Sequence, residues 1–158
     1  MDWIEAVRGK VVGLDTAPVI YYIEKDAQYI DLLRPFFQLV DSGECFLITS
    51  TITLLEILVV PIRKNNMGLI QEYRDLFFNV EGFTTYNVDP DIAEIAARLR
   101  AKYTIRPMDC IQVATAIYKK AQFCLTNDIH LPTIPELPML FLDDLKASSG
   151  SIRLKTDS

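Results

Sequence analysis

Short apolar runs alternate with longer stretches in which apolar residues recur every three or four positions. Five runs predict strands: Lys10 to Leu14, Cys45 to Thr49, Thr84 to Val88, Phe123 to Thr126 and Met139 to Leu142. Between them lie helical patterns. Ile92, Ile95, Ala96, Leu99 and Tyr103 form one stripe, with Asp91, Glu94, Arg98 and Lys102 turned away from it. Cys110, Val113, Ala114, Ile117 and Ala121 repeat that spacing, and further helices are expected over Tyr29 to Val40, Ile52 to Arg63 and Leu69 to Phe78. Strands separated by helices imply right-handed crossovers, hence a mainly parallel sheet with helices on both faces.

Four acids interrupt this pattern: Asp15 after VVGL, Glu56 inside TLLEILVV, Asp109 in RPMDCIQVATA and Asp128 closing FCLTND. A carboxylate beside a buried run is costly unless something compensates it. The topology gathers all four at one place. Asp15 and Asp128 end the first and fourth strands, at the carboxyl edge of the sheet, where open α/β sheets bind ligands. Asp109 opens a helix that starts near the same edge and descends before the fourth strand climbs back. Glu56 is about one turn into the helix after the second strand, roughly 5 to 8 Å from its start.

Each acid also has a plainer reading. Asp15 or Thr16 suffices as a cap for the helix that Pro18 helps to start. Asp109, just after Pro107, suits the macrodipole of a first helical turn, and Asn127 and Asp128 are ordinary turn residues. Glu56 resists, because it shares a helix face with Ile52 and Val59. Independent caps have no reason to converge at one edge of one sheet. Converging carboxylates repel, by roughly 4 kcal/mol at 4 Å in an effective dielectric near 20, and a hard divalent cation relieves that conflict. Carboxylates holding magnesium or manganese are suited to phosphodiester hydrolysis, so the expectation is a metal-dependent nuclease.

Composition bounds this reading. The 158 residues fit one domain, expected over residues 1–147, with the SSGSIRLKTDS segment at 148–158 as a loose tail. Lys and Arg number 16 against 21 Asp and Glu, and the net charge of −5 gives no general attraction to nucleic acid. Local basic groups remain at Arg63 and Lys64, Arg98 to Lys102, Arg106, and Lys119 and Lys120, each of which also reads as an ordinary solvated face. Cys45, Cys110 and Cys124 lack metal-ligand spacing and read as small buried hydrophobes in a reducing cytoplasm. His130 is the only histidine, in a loop before Pro132, so any Ser/His or Cys/His mechanism would rest on it. MDWIEAVRGK is no signal peptide, and TITLLEILVVPI is too short and too interrupted to span a bilayer. A cytoplasmic protein without a membrane segment is expected.

The segments GLDTAPVIYYIE, TSTITLLEIL, RPMDCIQVATAIYKKAQFCLTND and LPMLFLDDL resemble those of PIN-domain ribonucleases, the group containing VapC-type toxins of type II toxin–antitoxin pairs. The resemblance spans nearly the whole chain and lies in the order and spacing of the motifs. It implies a three-layer α/β/α fold whose five-stranded parallel sheet has the order 3-2-1-4-5. It implies a magnesium or manganese site at Asp15, Glu56, Asp109 and Asp128, with Thr126 and Thr16 as supporting hydroxyls. Single-stranded or looped RNA is the implied substrate, a small cognate antitoxin the implied partner and a homodimer the implied assembly. Ala17 departs from the pattern, standing where many relatives have Asn or Ser, which puts a supporting hydrogen bond in doubt.

Two rivals are weighed against this. A phosphoryl-transfer or receiver-type domain would use an acid ending the first strand, but no second acid stands beside Asp15 in a D-x-D arrangement, and Glu56 would have no use there. A catalytically idle PIN-like interaction module is consistent with the negative charge, and the intact set of acids argues against it. The stripe from Ile62 to Phe78 exceeds what one helix usually buries, and suits an antitoxin, a homodimer contact or an intramolecular helix hairpin.

Overall fold

The computed structural model describes residues 2–152 and forms a five-stranded, all-parallel sheet in the order β3-β2-β1-β4-β5. The strands are β1 (Val11–Leu14), β2 (Phe46–Ser50), β3 (Phe83–Tyr86), β4 (Phe123–Thr126) and β5 (Met139–Phe141). The helices are α1 (Trp3–Val7), α2 (Thr16–Ile23), α3 (Ile30–Asp41), α4 (Thr51–Arg63), α5 (Met67–Asn79), α6 (Pro90–Lys102), α7 (Pro107–Tyr118) and α8 (Leu142–Ala147). Parallel order and helices on both faces are as the alternating pattern predicts.

Local chemistry explains the sharp strand-to-helix turns. Asp15 and Ser50 cap α2 and α4 directly after β1 and β2, their side chains accepting from Thr16 N and Ile52 N. Asp89 caps α6 and Pro90 opens it, a pairing suited to a first turn whose N–H groups lack partners. Pro107 opens α7 and holds Arg106 before it in extended backbone (φ −61°, ψ 146°).

The sheet divides two cores. Trp3, Leu33, Phe36, Phe37, Tyr73, Phe77, Leu142 and Leu145 pack against one face. On the other, Ile92, Ala96 and Leu99 of α6 meet Val113, Ala114 and Ala116 of α7. Helix α7 lies so close to β1 that a Cβ on Gly13 would stand 2.7 Å from Ala116 Cβ. Glycine at this strand position therefore sets how near α7, and the side chains it carries, can come to the sheet.

Three expectations shift. The third strand begins at Phe83 rather than Thr84 and ends at Tyr86, because Phe83 is buried and Asn87 to Asp89 already lead into the cap of α6. Helices α1 and α8 have no counterpart in the sequence pattern. Ser148 to Ile152, counted with the loose tail, are held in place: Gly150 N donates to Leu145 O (2.7 Å), Trp3 N donates to Gly150 O (2.8 Å), Ser151 bridges to Asp2, and Ile152 packs on the core. The rest of the expected tail, 153–158, lies outside the described residues.

Candidate active site

Asp15 N donates to Leu125 O (3.1 Å), which carries the β1–β4 pairing one residue past the strand and brings Asp15 beside Thr126. Its carboxylate is held at both oxygens: Oδ1 accepts from Thr16 N and Oδ2 from the buried Thr126 hydroxyl, each at 2.7 Å. Burial pushes the Asp15 pKa up, and the negative charges of Asp109 and Asp128 add to it, while the two hydrogen bonds pull it down. Asp15 is thus both a helix cap and a member of a crowded acid group.

Glu56 meets a polar cluster of which the sequence reading had only Thr16. Its Oε1 accepts from Gln112 Nε2 (2.9 Å) and from the Thr16 hydroxyl (3.3 Å). Gln112 Nε2 also lies 3.0 Å from Thr53 Oγ1 and 3.1 Å from Thr16 Oγ1. Thr53 and Thr49 share a 2.8 Å hydroxyl bond, and Thr49 donates to Leu14 O (3.0 Å). This chain ties Glu56, through Gln112, to the end of β1. The Glu56 pKa is raised by burial first and by Asp15 next, with Asp109 adding to both.

Asp109 is buried, and its Oδ2 accepts from Arg106 Nε at 2.8 Å. Arg106 Nη2 lies 3.9 Å from Asp128 Oδ2, an ion pair beyond hydrogen-bond length. Asp128 forms the turn that its residue type suggests, accepting from His130 N (3.0 Å), and its own N–H donates to Thr126 Oγ1 (3.1 Å). The same Thr126 hydroxyl therefore links Asp15 and Asp128.

All four acids line one open cavity of about 600 Å³, together with Thr16, Ala17, Tyr21, Arg106, Asn127 and His130. The topology thus brings together every expected site acid and both supporting threonines. The His130 imidazole makes no hydrogen bond to any described residue, and the three cysteines are buried free thiols. Burial raises the Cys45 pKa to about 11 and pushes Cys110 and Cys124 up as well, so none is set up as a nucleophile.

Among the described residues, no three His, Cys, Asp or Glu side chains stand close enough to hold a metal ion as placed. The acids are instead held by neighbouring side chains that they partly share: Thr16 binds Asp15 and Glu56, Thr126 joins Asp15 to Asp128, Gln112 holds Glu56, and Arg106 pairs with Asp109 and faces Asp128. The donor set is nevertheless one that magnesium or manganese favours, all hard carboxylate oxygens. Burial first, and repulsion from the neighbouring acids after it, raise the pKa of Asp15 and Glu56; the repulsion is a conflict that a divalent cation relieves. On donor chemistry the residues fit such an ion.

An α/β/α domain with acids converging at the carboxyl edge of a 3-2-1-4-5 sheet defines the class. The PIN domain family model matches residues 12–137, and the chain belongs to that family. No curated protein sequence matches it significantly. Among solved structures, VapBC2 from Rickettsia felis bound to a promoter DNA fragment is similar, with 20% identity and a TM-score of 0.64, covering 83% of this chain and 98% of that one. A toxin–antitoxin complex from Klebsiella pneumoniae has 21% identity and a TM-score of 0.62, covering 84% and 97%. DNA-bound VapBC from Salmonella typhimurium has 19% identity and a TM-score of 0.63, covering 84% and 98%.

Proposed function

We propose that the chain is a metal-dependent endoribonuclease of the VapC type, the toxin of a toxin–antitoxin pair. The observation that carries this reading is the convergence of Asp15, Glu56, Asp109 and Asp128 on one open cavity of a PIN domain. Asp15 and Asp109 would hold magnesium or manganese most directly, with Glu56 and Asp128 acting through water or completing a second site. The bound ion would supply a lowered pKa for an attacking water and stabilise charge on the phosphate and leaving oxygens.

The chain's own residues do the rest. Thr126 and the Thr16 N–H fix both oxygens of Asp15, so its orientation is set before substrate arrives. Gln112 orients Glu56, and Thr126 joins Asp128 to the same group. The open cavity suits a single-stranded or looped RNA whose backbone can bend into it.

The partner proposed is a cognate antitoxin, supported by the toxin–antitoxin complexes that share the fold. The surface proposed for it is apolar and exposed: Leu55, Val59, Val60 and Ile62 of α4, with Met67 at the start of α5. Within the expected stripe, Tyr73, Leu76 and Phe77 are buried in the chain's own core, leaving Ile62, Met67 and Phe78 outside. A homodimer and a cytoplasmic location are proposed with it; no helix among the described residues is long and apolar enough to cross a membrane.

The spacing of the acids, no three of which stand close enough to share a metal ion as placed among the described residues, favours a second reading, an idle PIN-like interaction module. Incubation of purified protein with single-stranded RNA decides between them. Cleavage that needs magnesium or manganese and stops in excess chelator is the expected result; undiminished cleavage in chelator would overturn the metal mechanism. No cleavage, with no heat of magnesium binding at millimolar metal in calorimetry, would establish the idle module.

A further inference from the structure

Among the described residues, Arg106 is the only lysine or arginine that lines the acid cavity. Others are engaged elsewhere: Arg98 pairs with Glu94, Arg100 donates to the Ile105 carbonyl, Lys102 lies over Tyr103, and Lys119 over Tyr86 and Tyr118. Arg106 differs in kind. Its side chain is 77% exposed, yet its Nε is anchored to the buried Asp109 at 2.8 Å. Pro107 fixes the backbone from which it projects. Nε is the only one of its nitrogens hydrogen-bonded to a described residue; the other four guanidinium N–H groups make no hydrogen bond there, although Nη2 faces Asp128 Oδ2 at 3.9 Å.

An anchored guanidinium with a free edge is the geometry that grips a phosphate, since two N–H groups can donate in parallel to two phosphate oxygens. In a chain of net charge −5, a phosphodiester approaching four acids meets repulsion unless a local cation offsets it. We infer that Arg106 is the phosphate-binding residue of this cavity, holding a phosphate of a single-stranded RNA against the acids while Asp109 keeps its Nε in place. The inference rests on the nuclease reading above and adds the residue through which a net acidic protein holds its substrate.

The test is equilibrium binding of a fluorescent single-stranded RNA to the parent, Arg106→Lys and Arg106→Gln, in calcium in place of magnesium and over a series of salt concentrations. Arg106→Gln should weaken binding about tenfold and reduce the slope of log affinity against log salt by about 0.7, the value for one phosphate contact on a single strand. Arg106→Lys should recover the slope, because charge is kept, but only part of the affinity, because the paired donors are lost. Exposure of the side chain means that both variants should melt near the parent. Arg106→Gln binding with parental affinity, or with lower affinity and an unchanged salt slope, would overturn the assignment; the second result would mean a disturbed site rather than a lost phosphate contact. A parent that binds no RNA would instead overturn the nuclease reading itself.

Discussion

Arg106 Nε donates to Asp109 Oδ2 across one helical turn, so a buried acid of the cavity is partnered by the one Lys or Arg that lines it among the described residues. Two effects on stability oppose each other at Asp109. Removing its charge relieves repulsion from Asp15 and Glu56, whose pKa values it helps to raise. It also removes an ion pair whose Arg partner is mostly exposed, worth about 0 to 1 kcal/mol. Asp109→Asn should therefore change stability by less than about 1 kcal/mol in chelator. Cleavage should fall by about 100-fold or more, as expected for disrupting a metal-binding shell. If Asp109 belongs to a metal site, magnesium should raise the melting temperature of the parent more than that of the variant, since a ligand that binds only the native state stabilises it. A variant that cleaves like the parent and responds equally to magnesium would remove Asp109 from the site.

At Asp15 the expectation concerns pH. Its pKa is raised by burial above the ordinary 3.8, so the folded chain holds this proton more tightly than the unfolded chain. For such an acid, ionisation costs nothing below the unfolded value and becomes destabilising as pH rises through the folded one. Asp15→Asn keeps the cap, since Asn caps as well as Asp, and never ionises. In chelator, the melting temperature of the variant should rise relative to the parent between acid and neutral pH. Melts at a series of pH values check this; a difference that shrinks as pH rises would mean that Asp15 is stabilised as the anion.

The strand ends made Asp15 and Asp128 legible in the sequence, and an acid on an apolar helix face made Glu56 so. Gln112 was not. A polar residue beside the stripe of Cys110, Val113 and Ala114 reads as solvated, and only the meeting of α7 with α4 and α2 places its amide against Glu56, Thr53 and Thr16. Arg106 stood out no more than the other basic groups, since proximity to the acids is a tertiary fact. Helices α1 and α8, with 5 and 6 residues, are too short to show an amphipathic repeat and form because Trp3, Val7, Leu142 and Leu145 have a core to enter.

Gly13 tests the coupling of fold to site. Gly13→Ala sets two methyl carbons 2.7 Å apart at Ala116, so α7 must move away from β1. Overpacking of this kind costs about 1 to 3 kcal/mol, measurable by urea unfolding. Because α7 carries Asp109 and Gln112, RNA cleavage should fall as well. Adding Ala116→Gly removes the clash and should restore part of the stability, less the roughly 0.5 to 1 kcal/mol that a mid-helix glycine costs. Equal stability of parent and Gly13→Ala would show that α7 has slack at this contact.

Gln112 offers the sharpest separation of support from chemistry. Its amide has two N–H groups and three acceptors within reach: Glu56 Oε1 at 2.9 Å, Thr53 Oγ1 at 3.0 Å and Thr16 Oγ1 at 3.1 Å. Thr49 spends its proton on Leu14 O, so Thr53 supplies the proton in the bond between the two hydroxyls and is left to accept from Gln112. That leaves the other amide N–H for Glu56. Gln112→Leu keeps the size of the side chain and removes both donors, so Glu56 retains only the Thr16 hydroxyl at 3.3 Å. The Thr53–Thr49–Leu14 bonds survive, and stability should change by no more than about 1 to 2 kcal/mol. If Gln112 positions Glu56, kcat for RNA cleavage should drop about 10- to 100-fold with KM little changed, as happens when support behind a working carboxylate is lost. Gln112→Glu should do further harm in chelator by placing a second acid against Glu56, and lowering the pH should relieve that instability. Parental kcat in Gln112→Leu would show that the Thr16 hydroxyl alone suffices to orient Glu56.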